Sequence, residues 1–234
     1  MSDFVLVHGA WHGAWCWKRV LPALWRSGHR AFAVSLTGVG ERAHLLSSDI
    51  RLQTHIDDVM AVIEAEELQS AVLVGHSYAG MIITGVADQL KDASRLEKLI
   101  YLDAIVPQTG ECWSSSQSVE NQTARRAVIA KQGTLPPPSP DVFGLRGEDA
   151  DWVARRQTPH PGTLYDDPLH FDPQRIARFS CRFIDCTDPA LATIAPSRLR
   201  ARQMPGWSVT EIATGHDPMI SAPDALVAAL LEPV

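Results

Sequence analysis

A chain of 234 residues with 45% hydrophobic and 21% charged side chains has the length and make-up of one globular domain with a substantial core. Its net charge of −6, without any Lys/Arg run, argues against nucleic acid and anionic membranes as partners. Met-Ser-Asp leads straight into apolar residues with no charged n-region, and no apolar run approaches the roughly 20 residues of a spanning helix, so a cytoplasmic protein is expected.

The first predicted strand is Phe4 to Val7, followed by His8-Gly9-Ala10-Trp11-His12-Gly13. Trp15 to Arg26 has Trp17, Val20, Leu21 and Leu24 at helical spacing, with Gly28 as its stop. Ala31 to Leu36 is the second strand. Thr37-Gly38-Val39-Gly40 opens a loop to about Asp49, and Gln53 to Glu66 is the second helix, apolar at Ile56, Val59, Met60 and Ile63.

Ala71 to Val74 is a buried strand running into Gly75-His76-Ser77-Tyr78-Ala79-Gly80, and Met81 to Ala87 continues as a helix. A serine on a strand-to-helix turn, with small residues two positions to either side, is the arrangement that exposes a nucleophile. The small residues are needed because such a turn brings backbone against backbone. Leu96 to Leu102 is the fourth strand. This strand–helix alternation predicts a mostly parallel sheet with helices on both faces.

The rhythm breaks at Pro107. From there to about Pro173 the chain is proline-rich, with helices expected over Val119 to Lys131 and Asp149 to Gln157. Residues 107–173 therefore read as a cap lobe inserted into a core of residues 1–106 and 174–234. Regular structure resumes with a strand from Cys181 to Cys186, a helix from Ser197 to Gln203 and a last strand from Val209 to Ala213. Thr214-Gly215-His216-Asp217-Pro218 follows, and Pro223 to Leu231 closes the chain as a helix.

Cys16, Cys112, Cys181 and Cys186 form neither a C-x-x-C pair nor a zinc spacing, so free thiols are expected. Cys181 and Cys186, five apart on one strand, face opposite ways and cannot bridge. His8 and His12 are four apart, but Gly9 and Gly13 argue against a helix there, so no metal is expected, nor any cofactor.

Ser77 needs a base to remove its proton. His216 qualifies, on a glycine-flanked turn after the last strand; His76, beside the serine in sequence, reads as a packing or hydrogen-bonding residue. The acid is Asp103, at the end of the fourth strand, or Asp188, after the next one. The oxyanion requires two backbone N–H groups, which Tyr78 and Ala10 can supply. Trp11, His12, Trp113, Phe143, Trp152 and Tyr165, with His160, are candidate pocket walls, the cap aromatics serving equally well as a small core of their own. Cys16 reads as a buried helix cysteine near the oxyanion loop.

Phe4-Val5-Leu6-Val7-His8-Gly9-Ala10-Trp11-His12-Gly13-Ala14-Trp15, Gly75-His76-Ser77-Tyr78-Ala79-Gly80-Met81 and the histidine after the last strand resemble the methylesterase/hydroxynitrile-lyase branch of the α/β-hydrolases. Thr37 to Arg42 is similar to the Thr-Gly-x-Gly-Glu-Arg stretch of bacterial esterase-like members. The resemblance implies an α/β-hydrolase fold and a carboxylesterase-type serine hydrolase that forms an acyl-serine. Its partner would be a small-molecule ester or carbamate, such as the bulky pyrethroids that group cleaves; a homodimer is one assembly open to it, and the sequence does not fix the oligomeric state. The lyases of the branch carry threonine at the place of Gly9 and lysine at the place of Asp217, so hydrolysis is expected here rather than cyanohydrin cleavage. Carbamate or amide cleavage by the same residues, and a non-catalytic binding protein on this scaffold, are the competing readings.

Overall fold

Val5, Val7 and Leu73 pack on one side of a sheet, while Phe4, Leu6, Val72 and Val74 pack on the other, and all are buried. Strands apolar on both faces belong in the middle of a helix-covered parallel sheet. The computed structural model describes residues 1–232 and contains that sheet. Its strands are β1 (Asp3–Val7), β2 (Arg30–Val34), β3 (Ala71–His76), β4 (Leu96–Leu102), β7 (Ser180–Cys186) and β8 (Ser208–Ile212). They lie in the order β2-β1-β3-β4-β7-β8, every pairing parallel. The two-residue strands β5 (Thr134–Leu135) and β6 (His160–Pro161) form a separate antiparallel pair.

One face carries α2 (Leu52–Ala65) and α3 (Ala79–Gln89) through Ile56, Val59, Ile63, Ile82 and Val86. The other carries α1 (Leu21–Arg26) and α9 (Pro223–Leu231) through Leu24, Leu226 and Leu230, with Trp17 beside them. The remaining helices are α4 (Val119–Gln132), α5 (Gly147–Ala154), α6 (Pro173–Ile176), α7 (Ala195–Gln203) and α8 (Pro218–Ser221). None of the described helices is long and apolar enough to cross a membrane. The four cysteines are free thiols.

Most expected elements form within a few residues of their sequence bounds. The exception is Trp15 to Arg26, which splits into a 3-10 turn at Ala14–Arg19 and α1. Pro22 explains the break, since proline lacks the N–H that an uninterrupted helix needs and fits only in a first turn. The β5–β6 pair and α8 have no counterpart in the sequence reading; two to four residues are too few to show a period.

β1 is where the sheet reverses its winding, with β2 on one flank and β3 on the other. The loops leaving the carboxyl ends of β1 and β3 diverge to opposite faces there and leave a crevice between them. Ala10 lies in the first of these loops and Ser77 in the second.

Candidate active site

Ser77 and Tyr78 alone separate β3 from α3. Ser77 adopts φ +57°, in the left-handed region that strains a residue with a side chain. Two backbone bonds pin it: its N–H donates to Leu102 O at 3.1 Å, and the N–H of Ile105 donates to its carbonyl at 2.9 Å. The need for small neighbours is steric. A Cβ on Gly75 would stand 2.7 Å from Ala79 O, and one on Gly80 would stand 2.0 Å from Ile105 O.

His216 reaches the serine from the loop after β8, the edge strand three places from β3. Its N–H donates to Phe143 O at 2.9 Å, and a Cβ on Gly215 would stand 2.3 Å from that same carbonyl, so glycine lets the loop lie against residues 140–144. His216 Nε2 then accepts from Ser77 Oγ at 2.8 Å, and its Nδ1–H donates to Asp103 Oδ2 at 2.6 Å. A carboxylate can only accept, which sets this tautomer. Asp103 is fully buried, with φ +38°, and its Oδ1 accepts from Arg198 Nη2 at 2.7 Å. Arg198 extends from α7 and is itself fixed by Asp185, by Leu191 O at 2.7 Å and by Cys186 O.

Asp188 lies elsewhere. It is exposed, and its backbone N–H donates to Thr214 O at 3.0 Å. Of the two carboxylates weighed from sequence, the structure sets Asp103 against His216 and leaves Asp188 at the surface.

The β1 loop presses on the serine. A Cβ on Gly9 would be 2.8 Å from Ser77 Cβ and 2.9 Å from His76 Nδ1. The next residues, Ala10 and Trp11, are buried, with Trp11 held at φ +64°. Among the described residues, neither Ala10 N–H nor Tyr78 N–H is spent on another group.

Behind Ser77 lies a set of buried histidines with different charge states. His8 Nδ1–H donates to Gly9 O, and its Nε2 accepts from Leu36 N–H, so it is neutral; burial lowers its pKa to about 3. Burial likewise lowers His55 to about 4 and pushes His76 and His160 well below the usual range. His76 Nε2–H donates to His216 O at 2.8 Å. His12 differs. Burial opposes its charge, but the Asp217 carboxylate, 3.3 Å from its Nε2, outweighs that and raises its pKa, while its Nδ1–H donates to Ala10 O. Burial would raise Asp217, yet the surrounding histidines, His12 foremost, hold it down at about 2.

His76, His216 and Asp217 offer ligand atoms within 4.8 Å of one another. Both nitrogens of His216 are engaged by Ser77 and Asp103, so this group has only two ligands to spare for a metal.

A cavity of about 80 Å³ opens onto Ser77 and His216, walled by Trp11, Ile105, Trp113, Phe143 and Leu191, with Gln117 and Arg125 also at its surface. Three of the aromatics expected from sequence thus line it. The other three candidates do not. His12 stacks on Trp15 at 5.2 Å, beside Asp217. Trp152 packs edge-on against Trp15 at 5.1 Å, with Arg156 over its ring. Tyr165 is fully buried behind Trp113. His160 packs against Trp113 and Tyr78 in the same layer. A larger groove of about 250 Å³, lined by Asp88, Lys91 and Arg175 among others, contains no nucleophile beside a base, so the smaller cavity is the candidate site. Arg198, Gln117 and Arg125 had no signal in the sequence, because isolated residues on helices and turns carry no motif.

The alpha/beta hydrolase family model matches residues 4–229. A carbendazim hydrolyzing esterase from Nocardioides is 40% identical over 243 residues, covering 97% of each chain. A probable esterase, PIR7A, from Oryza sativa is 28% identical over 98% of this chain and 95% of its own. Among solved structures, an extracellular alpha/beta-hydrolase from Paenibacillus, described as sharing structural and functional homology with tobacco salicylic acid binding protein 2, superposes with a TM-score of 0.87 at 19% identity, covering 99% of this chain and 98% of its own.

Proposed function

The chain belongs to the alpha/beta hydrolase family and is an ester-cleaving hydrolase, and we propose that Ser77, His216 and Asp103 are its catalytic triad. The observation that carries this reading is the continuous line from Ser77 Oγ through His216 to Asp103, at 2.8 and 2.6 Å. His216 takes the proton of Ser77 as Oγ attacks the ester carbonyl. The N–H groups of Ala10 and Tyr78 receive the oxyanion, each contributing ~3 kcal/mol to the transition state. His216 then protonates the departing alcohol, and water cleaves the acyl-serine by the same route. Asp103 holds the imidazole in the tautomer that accepts from Ser77 and stabilises the imidazolium.

Residues 107–173 act as the cap in this reading. Trp113 and Phe143 from that segment join Trp11 around the cavity, which favours apolar or aromatic substrates. Carbamate cleavage is the second reading, supported by the 40% identical relative named for carbendazim, a methyl carbamate. The same triad serves both, since a carbamate differs only in the atom flanking the carbonyl.

Ser77→Ala and His216→Ala should each reduce p-nitrophenyl acetate hydrolysis by ~10³-fold or more, and retained turnover in either would refute the triad. Asp103→Asn should lower kcat by ~10⁴-fold with little change for Asp188→Asn; the reverse outcome would move the acid to Asp188.

A further inference from the structure

Every polar group of Trp11 ends on the 107–173 segment. Its N–H donates to His160 Nδ1 at 3.4 Å, its indole Nε1–H donates to Leu135 O at 3.0 Å, and its carbonyl accepts from Thr158 N–H at 3.0 Å. Leu135 and His160 are cross-strand partners on β5 and β6, so one short ladder presents both acceptors. Thr158 is tied back in turn, its Oγ1 accepting from Gly40 N–H at 2.9 Å.

Trp11 needs such a clamp. Its φ of +64° is a strained state for a residue with a side chain, and such a state persists only where the surroundings impose it. The peptide joining Ala10 to Trp11 is held at both ends. Ala10 O accepts from His12 Nδ1–H at 2.8 Å, and Trp11 N–H donates to His160. That fixes the plane next to Ala10 N–H. His160 also reaches the second donor residue, its ring lying edge-on 5.2 Å from that of Tyr78.

His160 is costly where it stands. It is fully buried among Trp11, Tyr78 and Trp113, where an apolar ring would pack without burying a polar group. Its Nε2 has no partner among the described residues, and burial keeps the ring neutral. What histidine offers here, and phenylalanine would not, is an unprotonated Nδ1 that accepts from Trp11 N–H. Building on the reading of Ala10 and Tyr78 as oxyanion donors, we propose that His160 is a positioning residue: by accepting from Trp11 N–H, it holds the loop that aims Ala10 N–H at the oxyanion. The cap thereby completes the oxyanion site as well as walling the cavity.

The test follows two readouts in His160→Leu, His160→Asn and Gly9→Thr. The first is kcat and KM for p-nitrophenyl acetate, per folded molecule. The second is the ratio of the inhibition constants of benzyl methyl ketone and benzyl trifluoromethyl ketone. Ser77 Oγ adds to the carbonyl carbon of the trifluoromethyl ketone, its proton passing to His216 and the carbonyl π pair to the oxygen, so the adduct bears the oxyanion. The methyl ketone binds without adding. The ratio therefore reads the oxyanion site and is independent of how much enzyme is folded. His160→Leu should lower kcat ~10-fold with KM little changed, and lower the ratio by a similar factor. His160→Asn should recover most of both, because its side-chain oxygen can stand where Nδ1 stands. Should His160→Leu fail to fold, His160→Gln replaces it in the comparison, since its oxygen reaches the place of Nε2 rather than Nδ1. Unchanged kcat and ratio in His160→Leu, alongside losses in Gly9→Thr, would overturn this proposal alone. So would an Asn variant that falls as far as the Leu or Gln variant, which is the mark of packing, or a rise in KM at constant kcat. A wild-type ratio near unity, or a Gly9→Thr variant as active as the wild type, overturns the oxyanion reading and this proposal with it.

Discussion

Arg198 holds the Asp103 carboxylate from the side away from His216: one oxygen of Asp103 accepts from Arg198 at 2.7 Å and the other from His216 at 2.6 Å. The arginine is only 11% exposed and Asp103 is fully buried, so removing the guanidinium would strand a carboxylate in a dry site. Such losses run to about 3–5 kcal/mol. Arg198→Met is therefore expected to be less stable and to lose kcat by ~10-fold or more with KM changed little, because Arg198 acts on the substrate only by positioning Asp103 and, through it, His216. Steady-state kinetics at a temperature where the variant stays folded checks this. A rise in KM at constant kcat would mean that Arg198 instead affects binding.

Gly9 bears on the choice between esterase and lyase chemistry. A Cβ there would lie 2.8 Å from Ser77 Cβ and 2.9 Å from His76 Nδ1, both on the pinned elbow, so neither can retreat freely. Gly9→Thr should displace the β1 loop from the serine and move Ala10 N–H off the oxyanion. The expected result is a fall of ~10²-fold in kcat for p-nitrophenyl acetate. Full activity in this variant would show that the loop can move away without cost and that Ala10 is not the donor.

The strands and the elbow were legible from sequence because each rests on a local pattern: an apolar run, a glycine, a residue two positions away. Ser77, His216 and the Ala10 loop share that property. Asp103 could be named but not separated from Asp188, because both end predicted strands. What separates them is the strand order, which brings β4 beside β3, and the φ of +38° that aims Asp103 at His216. Trp152 and Tyr165 illustrate the opposite limit. An aromatic residue within the 107–173 segment has the same sequence signature whether it lines the cavity, as Trp113 does, or packs behind it, as Tyr165 does. Arg198 acquires its role only from partners 7 to 95 positions away in the chain.

Stability should depend steeply on acidity. His8, His55, His76 and His160 are buried with pKa values lowered, to about 3 for His8 and about 4 for His55. In the unfolded chain these groups take up protons as the pH falls below about 6.5, while in the native state they resist doing so. A depressed folded pKa means stability is present above pH 6.5 and lost on the way down. Each histidine loses on the order of 2 kcal/mol between pH 7 and pH 5. His12, with its raised pKa, has the opposite sign and offsets only part of this. Urea denaturation should show an unfolding free energy that falls by several kcal/mol over that interval; a flat profile from pH 7 to pH 5 would mean these histidines are not neutral in the fold.

Asp217 and His12 should behave as a coupled pair rather than as two independent residues. Both are buried, their charged atoms stand 3.3 Å apart, and neither Asp217 oxygen has a hydrogen bond among the described residues. Asp217→Asn leaves a buried imidazolium unmatched, and His12→Gln leaves a buried carboxylate unmatched, so each single change should destabilise by about 3 kcal/mol at pH 6. The double variant removes both charges and should destabilise by clearly less than the sum, the difference being the coupling energy. Its pH dependence follows from the two shifts. Asp217, held at about 2, keeps the pair until the pH falls below roughly 4 and loses it as the pH falls through 2. His12, raised, contributes fully below about pH 6.5, and its contribution disappears as the pH rises through its native pKa. The coupling measured by urea denaturation should therefore be large at pH 6 and much smaller at pH 9. Additive effects at both pH values would show that the two residues are merely neighbours.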